Sequence, residues 1–225
     1  MRVELLSRTQ DADAICGAAG QSCYSEKSAH ALMEGGKGPA PALERIVGMG
    51  HHSVIEHAVF SFSVEGVSRA LTHQLVRHRI ASFSQQSQRY VSMDKASFVT
   101  PPSIEGDDKA LADYGEVMED IWDAYRRLAE LVPKEDARYV LPNACHTNIV
   151  ITMNARELRH FFSLRCCNRA QWEIRELALR MMDICQEECP IIFQDAGPPC
   201  VRGPCPEGAL TCGEPWERAS KASRK

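Results

Sequence analysis

Ala58-Val59-Phe60-Ser61-Phe62-Ser63-Val64 is the stretch on which the fold class turns. Phe60, Phe62 and Val64 alternate with smaller or polar neighbours, and a period of two puts them on one face of a β-strand. Gly66 is expected to end that strand. Beyond it the period changes to a helical one over Val67 to His78, with Val67, Ala70, Leu71 and Leu75 on the apolar side. Arg69, His73 and Arg77 recur every four residues on another face. Upstream, Arg2 to Leu6 reads as a short first strand, and helices are expected over Asp11 to Cys23 and Glu26 to Met33, the latter stopping at Gly35-Gly36. A third runs from Ala42 to Met49, with Pro41 in its first turn.

Downstream, Arg79 to Gln88 is polar and aperiodic and is expected to be a loop. Tyr90 to Met93 and Ser97 to Thr100 are candidates for extended chain. Asp108 to Leu131 reads as a long helix, Glu135 to Tyr139 as a short one and His146 to Thr152 as a β-branched strand. Asn154 to Ser163 and Arg169 to Glu188 complete the helices. The expected fold is α+β: one domain, residues 1–193, with a mostly antiparallel sheet packed by helices. Residues 194–225 form a Cys/Pro/Gly-rich extension, expected from Gly197 onward to be mobile or held by a neighbour.

Bulk properties narrow the function classes. The 225 residues are 44% hydrophobic and 25% charged, as in a globular domain that needs no disulfide staples. No signal peptide is evident and no apolar run is long enough to span a membrane. The ten cysteines are therefore expected as thiols in a cytoplasmic protein. A net charge of −4 means that any anion site must come from local clustering of arginine.

Such clustering occurs in Gln74-Leu75-Val76-Arg77-His78-Arg79-Ile80-Ala81-Ser82-Phe83-Ser84-Gln85-Gln86-Ser87-Gln88-Arg89-Tyr90. Cations at a helix C-terminus are ordinary, favoured by about 0.3–1 kcal/mol through the helix dipole. The amides and hydroxyls that follow are not ordinary in their density. An arginine fork grips phosphate or a pyrimidine carbonyl, and amides read both donors and acceptors on a base edge. The loop suits a nucleotide.

These residues resemble the flavin-dependent thymidylate synthase family. Arg77-His78-Arg79, seven residues and then Ser87 is similar to its signature. Three further blocks follow the family's order: His51-His52-Ser53-Val54-Ile55-Glu56-His57; Ala137-Arg138-Tyr139-Val140-Leu141-Pro142; and Asn154-Ala155-Arg156 with Phe161-Phe162-Ser163-Leu164-Arg165 and Ala170-Gln171-Trp172-Glu173-Ile174. The resemblance spans roughly Met1 to Phe193. It implies conversion of dUMP to dTMP with methylenetetrahydrofolate as carbon donor, NADPH as reductant and FAD as hydride carrier, in a homotetramer whose sites lie where subunits meet. Carried over position by position, it puts FAD near Ser53, Arg77, His78, Arg79, Gln85, Asn154, Arg156 and His160. It puts dUMP at Gln74, Arg77, Gln85, Gln86, Ser87, Gln88, Arg89, Arg138 and Arg165. Arg165 is the catalytic residue so implied, facing the uracil and favouring ionisation at N3; a guanidinium beside a developing anion stabilises charge without giving up a proton. Without the resemblance, Arg165 reads first as a buried structural ion pair.

No G-x-G-x-x-G stretch is present, so a doubly wound dinucleotide domain is not expected. Ser87 lacks a nucleophile elbow and reads as a contact to dUMP. No metal is expected. Ser53-x-x-Glu56 reads as a helix capping box, not a ligand set, and His51 as a contact to flavin or folate. Cys166-Cys167, Cys185 and Cys189 read as small buried hydrophobes. Cys200, Cys205 and Cys212 would need a fourth ligand to hold zinc and lack C-x-x-C spacing, so contact of a bare tail with another subunit is preferred. Two rivals stay in view. One is a nucleic-acid-binding module using Arg69, His73, Arg77 and Arg79 with a Cys-rich knuckle, against which the acidic net charge stands. The other is a flavoprotein acting on a different substrate.

Overall fold

The computed structural model describes residues 1–34 and 40–216. The expected helix stop at Gly35-Gly36 and the last nine residues lie outside that range. Four strands form one sheet in the order β1-β2-β4-β3: β1 Arg2–Arg8, β2 Val59–Ser68, β3 Ala81–Gln85 and β4 His146–Asn154. Helices α1 Ala12–Ser22, α2 Ala29–Glu34 and α3 Ala40–Gly48 follow β1; α4 Arg69–Leu75 follows β2; α5 Pro102–Glu105, α6 Asp108–Ala129 and α7 Lys134–Ala137 lie between β3 and β4. α8 Ala155–Arg165, α9 Trp172–Glu188 and α10 Pro190–Phe193 complete the set. The fold is α+β, as expected.

Contacts divide the chain into two compact units. The first comprises Met1–Arg2, Ser63–Arg77 and Phe83–Val150; the second comprises Val3–Phe62, His78–Ser82 and the described chain from Ile151 onward.

In the first unit α6 carries the core. Met118, Trp122 and Tyr125 pack with Met93, Ala137 and Cys145, and Phe98 and Tyr114 flank them. The expected extended runs at 90–93 and 97–100 form no strand; a single bridge joins Phe98 to Cys145. Side chains of α6 hold this segment instead. Trp122 Nε1 donates to the Met93 carbonyl at 2.8 Å, the Met93 N–H donates to Tyr125 Oη at 3.2 Å, and Tyr114 Oη donates to the Val99 carbonyl at 2.9 Å. Buried backbone groups outside a ladder need such partners.

The second unit is built on aromatics. Phe60, which β2 turns inward as its alternation requires, meets Phe193 of α10 edge-on at 5.5 Å; Phe162 of α8 meets the same ring at 6.0 Å. Here β1 and β2 run antiparallel, with the Thr9 N–H donating to the Val59 carbonyl. α8 packs on α9 and on a 3-10 turn, His52–His57.

Three of the differences from expectation fall around residues 66–88. β2 does not end at Gly66 but runs through it to Ser68; Gly66 takes φ +67°, open to glycine at no steric cost. α4 consequently starts late, where Ser68 Oγ accepts from the Leu71 N–H, and stops at Leu75. The expected loop at 79–88 contains β3. Its side chains alternate between half-buried and exposed, so it lacks the apolar periodicity that marks a strand, and pairing with β4 makes it one: the Gln86 N–H donates to the Asn148 carbonyl.

The described part of the extension, Gly197 to Trp216, folds back onto its own unit in two 3-10 turns, with Arg169 and Glu207 paired at 2.8 Å.

Candidate active site

In the second unit the site is built from α8. Asn154 Oδ1 accepts from the Glu157 N–H at 2.9 Å and starts the helix. Its first turn then presents Arg156 and Glu157, its middle His160 and its end Arg165. A cleft of about 540 Å³ is lined by Asn154, Arg156, Glu157, Arg159 and His160 together with His52, Glu56 and Arg202. Arg156 Nη1 pairs with Glu56 at 2.5 Å. The buried Arg159 is tied to the Ile192 carbonyl at 2.6 Å and to Asp195 at 2.7 Å. Burial first, and then the charge of Arg159, lower the His52 pKa.

Beside this cleft lies a buried hydrogen-bonded row. His78 Nδ1 is 3.0 Å from Glu157 Oε1, and their side chains are only 3% and 7% exposed. Arg165 Nε donates to His78 Nε2 at 3.2 Å. The imidazole also meets Phe161 edge-on at 5.0 Å and His160 at 5.8 Å. Burial lowers the His78 pKa; Glu157 opposes that shift, and Arg165 and His160 reinforce it. Burial also lowers the Arg165 pKa, which leaves a guanidinium charged at neutral pH. Among the described residues, His78, Glu157 and His160 alone bring three metal-ligand atoms within 4.8 Å of one another. Both ring nitrogens of His78 are already engaged, so the arrangement is satisfied as a hydrogen-bonded group.

Of the residues expected at FAD, Asn154, Arg156 and His160 line this one cleft, with His78 buried next to it. Arg79 is exposed. Ser53 is elsewhere: with His51, Gly20, Tyr24 and Met49 it lines a different cleft of about 540 Å³. The expected capping box at Ser53 does not form, because His52–His57 is a 3-10 turn whose N-terminal residue His51 makes no side-chain cap, and Glu56 pairs with Arg156 instead.

In the first unit lie Gln74, Arg77, Gln85 to Arg89 and Arg138. Glu135 gathers two of the arginines: Arg89 Nε pairs with its carboxylate at 2.9 Å, and Arg138 Nε donates to its carbonyl at 3.0 Å. Ser87 Oγ accepts from the Arg89 N–H at 3.2 Å. Two of the expected reading amides are committed internally. Gln85 Nε2 donates to Thr72 Oγ1 and Thr147 Oγ1 at 3.1 and 3.2 Å, and the buried Gln88 donates to Cys145 Sγ at 3.3 Å. Gln86 borders a cleft of about 500 Å³ with Ser97 and His146. Gln74 is half-buried and Arg77 exposed.

Sequence reasoning passed over Glu157 and Glu135, and it read Glu56 only as half of a capping box. Glu157 stands three residues after an N-cap, a spacing that reads as a capping box and hides any other role. No local signal marks Glu135.

The α8 cleft, lined by Arg156, Arg159 and Arg202, suits a ligand carrying phosphate. The chain belongs to the family described as thymidylate synthase complementing protein, whose model matches residues 4–191. A flavin-dependent thymidylate synthase of Geobacter sulfurreducens is 50% identical, with 96% of each chain covered. Those of Clostridium tetani and Nitratidesulfovibrio vulgaris are 44% and 47% identical, covering 96% and 94% of this chain and 95% and 94% of their own.

Proposed function

We propose that this chain is a flavin-dependent thymidylate synthase, reductively methylating dUMP to dTMP with methylenetetrahydrofolate as carbon donor and FAD reduced by NADPH as hydride donor. The observation that carries the reading is similarity over nearly the full length to flavin-dependent thymidylate synthases, 44–50% identical. Residues 1–193 are the catalytic domain in this reading and 194–225 its extension, in keeping with a family match that ends at residue 191.

FAD fits the donors of the α8 cleft. Arg156 and Arg202 line it as cations for phosphate, His160 offers an imidazole and Asn154 an amide. The family resemblance adds Ser53, Arg77, His78, Arg79 and Gln85 to the proposed FAD set; none of these five lines the α8 cleft, and both ring nitrogens of His78 are held in internal bonds. The flavin, when bound, supplies the hydride; the protein orients its ligands and tunes their charge. On the dUMP side, Arg77, Arg89 and Arg138 bind phosphate, and Gln74, Gln86 and Ser87 contact sugar and base. Gln85 and Gln88 hold the shape of the segment through their internal bonds. Arg165 stabilises the N3 anion of the uracil and so makes the ring more nucleophilic at C5. No proton need leave the guanidinium.

The active form in this reading is a homotetramer in the cytoplasm, where NADPH and reduced folates are available. Large apolar side chains left exposed on the single chain, such as Tyr24 at 91% and Tyr139 at 82%, are consistent with burial between subunits. No described helix is long and apolar enough to cross a membrane.

The test is an anaerobic absorbance titration of purified, FAD-loaded protein with NADPH, with and without dUMP, followed by chromatography of the nucleotide after methylenetetrahydrofolate is added. Flavin bleaching at a rate that dUMP alters, with dTMP formed, is the expected result. A protein that takes up no FAD overturns the reading. Bleaching indifferent to dUMP, with no dTMP, would instead assign a flavoprotein of another specificity.

A further inference from the structure

The carboxylate of Glu157 has no assigned part in this chemistry, yet it sits at one end of a buried row that finishes on the guanidinium of Arg165. A guanidinium only donates hydrogen bonds. Since Arg165 Nε faces His78 Nε2 at 3.2 Å, that nitrogen must carry its lone pair, and the ring proton must sit on Nδ1. Nδ1 is 3.0 Å from Glu157 Oε1. A carboxylate there favours the Nδ1–H tautomer and makes Nε2 a better acceptor, the same logic by which an acid orients a histidine in hydrolase triads.

Arg165 needs such a hold. It is the last residue of α8, where helices fray. Among the described residues, Nε is the only atom of its side chain with a hydrogen-bond partner. That leaves the Nη1/Nη2 edge free to face a ligand. The row runs back along α8 from its end to its first turn, where the Glu157 N–H is fixed by Asn154 Oδ1. The charged and titratable groups facing the imidazole are Glu157, His160 and Arg165, all on α8.

We propose that Glu157 and His78 are positioning residues for Arg165: the buried carboxylate sets the imidazole tautomer, and the imidazole aims the free edge of the guanidinium at the pyrimidine ring. The proposal rests on the reading of Arg165 as the group that faces dUMP. His78 then acts through Arg165, and its protonation breaks the row by placing an N–H against the Arg165 N–H.

The test uses the full-length, FAD-loaded enzyme. Glu157→Gln removes the charge at nearly constant shape and should lower kcat about tenfold to a hundredfold. KM for dUMP should change much less, and the pH at which activity falls on acidification should move. Glu157→Asp should restore part of the loss. A purely structural role would lower stability without moving the pH profile. Nitrogen-15 NMR of histidine-labelled wild-type protein should show His78 as the neutral Nδ1–H tautomer at neutral pH, and this needs no variant to fold. An Nε2–H or cationic His78 overturns the proposal, as does a folded Glu157→Gln enzyme with unchanged kcat and pH profile. Arg165→Lys measured alongside separates the two ideas. If it keeps full activity, the reading of Arg165 fails; if it is impaired while Glu157→Gln is not, only the positioning role fails.

Discussion

Arg165 and His78 carry the sharpest expectations at the scale of single residues. Truncation of Arg165 to Ala should lower kcat at least about a hundredfold, the scale of removing one donor that stabilises a developing anion. Flavin content should be retained, since the role proposed for Arg165 is on the pyrimidine and not on the flavin; steady-state kinetics with a flavin absorbance ratio checks both. His78 and His52 predict the acid sensitivity of the fold. Burial lowers both pKa values below the ordinary 6.5, so on acidification the unfolded chain takes up protons first. The stability these residues retain at neutral pH is therefore lost as pH falls below about 6.5 toward the folded values. Thermal midpoints should drop over that window, and the drop should shrink in a His52→Gln, His78→Gln double variant. Equal slopes in the two proteins would assign the acid sensitivity to other groups.

Among the elements, α6 is where local sequence and tertiary role agree most closely. Asp107 Oδ1 accepts from both the Lys109 and Ala110 N–H groups at 3.0 Å, and Asp108 adds charge to the first turn. Asp107→Ala should cost about 1 kcal/mol, seen as a fall in Tm of roughly 2–4 °C for a chain of this size. Activity should stay unchanged, because Asp107 belongs to no proposed binding set. β3 is the opposite case. Its residues carry weak strand preference, and it is a strand because β4 offers it a partner. A polar edge strand of this kind can display serines and amides along a margin while its backbone stays satisfied, which is what a ligand-reading segment requires.

Over the whole molecule, thiol chemistry and assembly offer two checks. Cys16, Cys145, Cys166, Cys185 and Cys189 are buried, whereas Cys23 and Cys212 are exposed. Burial pushes the Cys16 and Cys189 thiols up to about 12 and raises Cys145 and Cys185 as well. Reaction depends on the thiolate, so at mildly alkaline pH the native protein should label rapidly at Cys23 and Cys212. The five buried thiols should react only after unfolding; mass mapping of the labelled peptides decides the point. Rapid labelling of Cys185 would show that α9 opens locally. The proposed tetramer predicts a scattering mass near four times the 25.1 kDa of one chain, and a monomer mass in the active fraction would remove it.

The alternation of Phe60, Phe62 and Val64, the amphipathic length of α6 and the α8–α9 pair were legible in the sequence, because each is a local pattern read against a helical or strand period. So was the arginine and amide cluster around Arg77 to Arg89, since its residue types and spacing are themselves the signal. Tertiary structure decided the rest. It made a strand of residues 81–85 by pairing, turned Ser53 away from the α8 cleft, and committed Gln85 and Gln88 to internal bonds. It also brought Glu157 to His78 across 79 positions of chain. None of these could be read locally: a hydrogen bond between distant residues leaves no period in the sequence, and a buried carboxylate is spelled the same way as an exposed one until the fold gives it a neighbour.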